Sequence, residues 1–375
     1  MSTPPLPRRR FLTAAATGAA LAGPASRAAT SSAPAIPPML MKAGHQHDHS
    51  TPTLQALAAF GVNHICSGKL SKQVDKDWTV DALTRLRRHV ESFGIKLECV
   101  PLPMSSSSIE HAEHPEILLG REPERERAIE GIRTMIRNCG KAGIPMVKYN
   151  LTFIGVVRSP QTIGRGGAKL STFRHAELTP QPEFPGVGRV TEEIYWDRIG
   201  HFLRKVVPVA EEAGVRLACH PQDPGFPRGT GWRGVETVLG SPDGLRRFVE
   251  TQASPNHGLN FCQGTISEML RKPNEEIHDI IRDFGRRRKI FMVHFRNIRG
   301  GWLDFQETFP DDGDVDMMRA LRAYREVGFD GMVMPDHVPE VAGDSTRQKS
   351  YAFCFGYIQA LLEQLRRESP AASRA

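Results

Sequence analysis

No run of about 18 or more uninterrupted apolar residues occurs in this 375-residue chain. That is the length a bilayer-spanning helix needs, so stable membrane insertion is not expected. Glycine (34) and proline (28) together make up about a sixth of the chain. This is below the roughly 25–30% that marks low-complexity sequence, which removes fibrous and collagen-like classes. Cysteine is sparse and scattered at positions 66, 99, 139, 219, 262 and 354, without a Cys-x-x-Cys pair, so a disulfide scaffold is not expected and any pairing stays undetermined. Acidic residues are missing altogether from the first 28 positions, which hold Arg8, Arg9, Arg10 and Arg27. Those four account for more than half of the +7 net charge, so no basic stripe remains to suggest a nucleic-acid partner. What is present, 39% hydrophobic and 24% charged residues, is enough to bury an ordinary globular core.

The N-terminus reads as an address. Arg8-Arg9-Arg10-Phe11-Leu12 fits a twin-arginine pattern and precedes a weakly apolar stretch, Ala14 to Gly23, with Ser26-Arg27-Ala28 as a small-residue cleavage site. Residues 1–28 are therefore expected to be a signal peptide cleaved near Ala28 and read by the Tat translocase, and residues 29–38 a Ser/Ala/Pro linker. The expected location is periplasmic. A disordered Ala-rich tail is the plain alternative.

From residue 39 one unit recurs, an amphipathic run ended by glycine and followed by a short apolar stretch. It appears before Val62–Cys66, Ile95–Val100, Ile144–Val147, Val215–Cys219, Ile290–Val293 and Gly331–Met334. A glycine there supplies the left-handed residue that ends a helix. The near-continuous apolar runs suit strands buried on both faces. Met39–Ala43 and Leu259–Phe261 bring the strands to eight, with helices such as Val80–Phe93, capped by Thr79, and Glu192–Ala213 between them. An α/β fold, a (β/α)8 TIM barrel over residues 39–368, is the economical expectation. Residues 151–190 form an insertion whose Gly164-Arg165-Gly166-Gly167 lacks the Gly-Lys-Ser/Thr and following helix of a phosphate loop, so a mobile lid over the barrel mouth is expected.

In such a barrel the residues just after each strand converge on one rim. Strands five to eight run into His220-Pro221, Cys262-Gln263, His294-Phe295 and Asp336-His337, with His220, Cys262, His294 and Asp336 spaced 42, 32 and 42 residues apart. One histidine or cysteine at a strand end is more often packed than ligating. Four on successive strands point instead to a divalent transition metal held by two imidazoles, a thiolate and a carboxylate. Of the tract His45-Gln46-His47-Asp48-His49, His45 is expected to face the mouth and the others to lie in solvated loop.

Around these positions the chain resembles the mannonate dehydratase family. The likeness is carried by Ile136-Arg137-Asn138, Ala142-Gly143-Ile144-Pro145, Tyr149-Asn150, Ala210-Glu211-Glu212-Ala213-Gly214-Val215, His220-Pro221-Gln222-Asp223-Pro224 and Cys262-Gln263-Gly264. It continues through His294-Phe295-Arg296-Asn297, Phe305-Gln306-Glu307-Thr308, Gly313-Asp314-Val315-Asp316-Met317 and Pro335-Asp336-His337. The resemblance implies a metal-dependent hydro-lyase acting on a sugar acid. It puts manganese (Mn2+), or iron (Fe2+), on His220, Cys262, His294 and Asp336, and catalytic roles on His337 and Tyr351. Arg296 is a natural partner for a substrate carboxylate, with Asn150, Arg158 and His45 as further substrate-binding positions. The chain departs from the family at strand one, where Phe-Arg-Trp-Tyr-Gly is replaced by a run into Ala43-Gly44-His45, and at Met334-Pro335-Asp336-His337-Val338, where Arg-Pro-Asp-His-Gly is usual. A sugar isomerase or epimerase on the same barrel, or an exported sugar-acid or metal-binding protein without catalysis, are the alternatives. Homo-oligomerisation stays open. Replacing Arg8 and Arg9 by lysine is expected to leave the protein in the cytoplasmic fraction, and unchanged periplasmic delivery would reject the twin-arginine route.

Overall fold

The computed structural model describes residues 37–368. The expected signal peptide and all but the last two residues of the expected linker lie outside them. Twelve strands follow in chain order: β1 (Lys42–His45), β2 (His64–Cys66), β3 (Lys96–Pro101), β4 (Met146–Asn150), β5 (Ser159–Ile163), β6 (Lys169–Arg174), β7 (Arg216–His220), β8 (His257–Cys262), β9 (Ile290–His294), β10 (Asn297–Gly301), β11 (Asp304–Thr308) and β12 (Met332–Met334). Eight of them, in the order β1-β2-β3-β4-β7-β8-β9-β12, close into a parallel barrel, with Lys42 opposite Met332 and Ala43 opposite Val333 at the seam. These are the eight expected strands, with ends moved by a few residues.

The local reasons are those the periodicity suggests. Thr79 accepts from the Ala82 amide to start the helix Val80–Glu91, and Thr191 accepts from the Ile194 amide at the start of Glu192–Ala213. Gly214, with φ of 66°, ends the latter helix and turns the chain into β7. Each barrel strand is too short to bury its surface alone. Strands and helices share one large apolar core, while Cys66, Cys99, Met146, Ala218, Met292 and Met334 belong to a second, smaller one. All six cysteines are buried free thiols. No helix among the described residues is long and apolar enough to cross a membrane.

The insertion differs from the lid expected for it. Its β5 and β6 form a hairpin, turned at Arg165–Gly167, that joins β10 and β11 in a four-stranded antiparallel sheet ordered β10-β11-β6-β5. Phe173 on β6 stacks on Phe305 of β11 at 5.4 Å, and Arg165 pairs with Asp311 at 2.7 Å. An inserted hairpin with a second hairpin to pair against becomes a fixed wall. The partner strand lies some 130 residues further along, beyond the reach of local pattern reading.

Candidate active site

The barrel geometry brings the four proposed ligands together. His220, Cys262 and His294 are the last residues of β7, β8 and β9, Cys262 lies in register with His294, and Asp336 follows β12 by two residues. One donor atom from each lies within 4.8 Å of the others. The surroundings suit a cation. His220 Nδ1 donates to the Pro221 carbonyl at 2.7 Å, which leaves the Nε2 lone pair free, a common way of aiming a ligating imidazole. The Thr265 amide and hydroxyl point at the Cys262 sulfur from 3.4 and 3.2 Å. Asp336 accepts from Gln46 Nε2 at 2.9 Å.

Protonation follows from burial and charge. Burial drives the His220 ring down to about 3 and also lowers His294, so both imidazoles are neutral and hold a lone pair. Burial opposes ionisation of Asp336, yet nearby His294, His337 and Arg296 hold its carboxyl well below the usual range. Burial also pushes the Cys262 thiol up, against the pull of Arg296. His294 Nδ1 lies 3.3 Å from Asp336 Oδ1, buried beside it. A divalent cation would be held by these neutral imidazoles and the ionised carboxylate and would stabilise the thiolate, so these donors fit a metal.

Beside this centre lies a dense ion network. Arg296, whose side chain is 2% exposed, contacts Glu268 at 2.8 Å, Glu307 at 2.9 Å and Asp336 at 3.5 Å. Arg158 reaches Asp223 at 2.7 Å and Glu307 at 2.5 Å. Asp223, Glu268 and Glu307 come close enough together to suggest a second cation site, but two guanidiniums already occupy that role. His337 stands at the edge of the network with Nδ1 2.6 Å from Glu307 and Nε2 3.2 Å from Asp336, its side chain 38% exposed. Burial lowers its affinity for a proton, but Asp336 and Glu307 outweigh that and raise it.

A cavity of about 150 Å³ opens over the ligands, and His337 and Asn150 line it as expected positions should. Other expectations require correction. His45 is turned away, packed edge-on against Tyr351 and Phe355 at 5.9 and 5.7 Å. Its neighbours Gln46 and His47, expected in solvated loop, line the cavity instead, because β1 runs two residues further than anticipated. Arg296 and Arg158 are committed to protein carboxylates rather than open to a substrate. Tyr351 donates its hydroxyl to the Asp336 carbonyl at 3.0 Å and braces that candidate ligand from behind. Among the described residues lining the cavity, Lys148 is the one lysine or arginine, and its ammonium contacts Gln46. Lys148 escaped the sequence reading, although a charged side chain inside the strand Met146–Asn150 was a signal. Glu307 lay in a recognised motif but had no role assigned.

A closed parallel barrel with a His, Cys, His, Asp centre at its strand ends defines a TIM-barrel enzyme with a candidate metal site. Comparison narrows the class. The D-mannonate dehydratase (UxuA) family model matches residues 41–183 and 180–366, and the chain belongs to that family. It is 26% identical over 332 residues to a mannonate dehydratase of Streptococcus equi subsp. zooepidemicus (strain MGCS10565), covering 81% of this chain and 86% of the relative. The crystal structure of mannonate dehydratase from Streptococcus suis serotype 2 superposes with a TM-score of 0.73 at 26% identity, covering 88% of this chain and 95% of the other. A xylose isomerase domain protein from Alicyclobacillus acidocaldarius subsp. acidocaldarius shares the fold, with a TM-score of 0.56 at 15% identity over 86% of this chain and 98% of that one. The protein is an enzyme of the hydro-lyase type.

Elemental analysis after purification without added metal, and again after loading with a divalent transition metal, checks the centre. Cys262→Ala is expected to retain at least about tenfold less metal than wild type, since loss of even an outer partner of a ligand costs ~10–100-fold. Equal content would refute the ligand assignment.

Proposed function

We propose that the protein, after export to the periplasm, dehydrates D-mannonate to 2-dehydro-3-deoxy-D-gluconate with manganese, or iron(II), as its metal. The observation that carries this reading is the His220, Cys262, His294, Asp336 cluster, held within 4.8 Å, beneath a cavity that His337 lines. The reaction breaks the C2–H and C3–O bonds of a 2,3-dihydroxy acid, releases water, and leaves an enol that tautomerises to the 2-keto acid. A bound divalent cation would supply charge stabilisation for the oxyanion that develops as the weakly acidic C2 proton departs.

This chain's own residues do the rest. Lys148 holds the substrate carboxylate, since the nearby guanidiniums of Arg158 and Arg296 are neutralised by Asp223, Glu268 and Glu307. His337 is the proton-transfer group, open to the cavity and oriented by a carboxylate at each ring nitrogen. Asn150 sits beside Lys148 on the cavity wall, its side chain donating to the Met104 carbonyl at 3.3 Å.

Turnover of D-mannonate with manganese, followed by identification of the product, tests the proposal. A 2-keto-3-deoxy acid is expected, and an epimerised or isomerised sugar instead would overturn it. His337→Asn is expected to lower kcat by roughly 10²–10⁴ with metal content preserved. Metal lost together with activity would move His337 into the ligand set. Lys148→Met is expected to lower kcat/KM by about 10–100-fold, the worth of one charge-assisted hydrogen bond of ~1.5–3 kcal/mol. An unchanged kcat/KM would return the carboxylate to another residue.

A further inference from the structure

The cavity over the metal ligands does not end at the barrel mouth. It runs into a second, outer cavity of about 520 Å³, and His47, Ser106, Lys148, Asn150, Gly155 and Val156 line both. The inner space suits a six-carbon polyhydroxy acid. At ~10–15 Å³ per water-sized group it takes about ten groups, close to the roughly 13 non-hydrogen atoms of such an acid. The outer space is more than three times larger and is left over once that acid is bound.

The outer walls are built rather than incidental. The segment Ser105-Ser106-Ser107-Ser108 forms one side, fixed where Ser108 pairs with Ile154 and where the Ile109 amide donates to the Phe153 carbonyl at 2.7 Å. Gly155 has φ of 69°, and a Cβ there would come within 2.7 Å of the Ser108 amide nitrogen, so the close approach of the two segments requires glycine. Leu102, Met104 and Ile154 supply apolar surface among the hydroxyls. Hydroxyls interleaved with aliphatic patches match the alternating O–H and C–H faces of a sugar ring. The charge is also informative. Lys69 sits at the rim, largely exposed and 3.6 Å from Glu113, so the cation within the outer cavity is the Lys148 ammonium already assigned to the carboxylate.

We propose that the outer cavity is a glycosyl subsite, and that the preferred substrate is an aldonic acid carrying an uncharged glycosyl substituent on one of its distal hydroxyls. This rests on the dehydratase reading above. The same two bonds break, C2–H and C3–O, with loss of one water, and the glycosidic bond stays intact.

The experiment compares D-mannonate with the two mannosyl-mannonates obtained by oxidising the reducing ends of (1→4)- and (1→6)-linked mannobiose. In wild type, at least one glycosylated acid is expected to exceed D-mannonate in kcat/KM by about tenfold or more. Ser107→Trp, which fills only the outer cavity, is expected to abolish that advantage while leaving D-mannonate turnover nearly unchanged. His111→Trp at the exposed rim is the second variant, should Ser107→Trp fail to fold. Turnover of D-mannonate without any gain from the glycosyl group, or equal effects of both variants on both substrates, would overturn the subsite and leave the dehydratase reading standing. Absence of a 2-keto-3-deoxy product from every acid, with manganese and with iron(II), would instead sink the dehydratase reading and the subsite with it.

Discussion

The Arg296 guanidinium is the interaction on which the site depends. It projects from the end of β9 into a buried pocket and meets Glu268 from the short helix after β8, Glu307 from the added sheet, and the candidate metal ligand Asp336. Three other parts of the fold thus converge on one planar cation. Removing it would leave several buried carboxylates without a counter-charge, a defect that typically costs ~3–5 kcal/mol for a single broken pair. The energetic consequence is also geometric. Glu307 is ionised where it orients His337, because Arg296, His337 itself and Arg158 keep its carboxyl well below the usual range against strong burial.

That arrangement explains why a cation obvious in the sequence has a different task in the structure. A lone arginine after a barrel strand looks like a hand extended to an acidic substrate. Its environment decides otherwise, because three acidic residues distant in the chain reach it first. Among the described residues lining the cavity, the cation left without a carboxylate contact is Lys148, whose side chain is partly open and whose contact, Gln46, is neutral. The absence of the family's usual aromatic and basic motif at strand one fits with Gln46 and His47 lining the cavity there.

The barrel and the ligand set were legible in the sequence for a shared reason. Both depend on local periodicity, since glycine-terminated helices and short apolar strands repeat, and a ligand at the end of each strand inherits that repeat. What escaped was non-local or sensitive to register. β1 extends to His45 rather than Ala43, and that small shift turns His45 against Tyr351 and Phe355 and brings Gln46 and His47 to the mouth. The ion network could not be read because its charged members come from positions 158 to 336, and no pattern along the chain pairs them. The insertion was visible as an insertion, but a hairpin whose partner lies far downstream reads locally as a loop.

The same added sheet has a kinetic implication. Its strands come from residues 159–174 and 297–308, and the barrel itself closes only when β12 pairs with β1. These are contacts of very large sequence separation, the kind whose loop-closure entropy must be met before any bonding is gained. The β5–β6 hairpin therefore has to wait for its partner β11, which carries the Glu307 that orients His337, while more than a hundred intervening residues are synthesised. A chain in this position cannot assemble its chemistry piecemeal from the N-terminus; the site is acquired late and all at once, when almost the whole polypeptide is available.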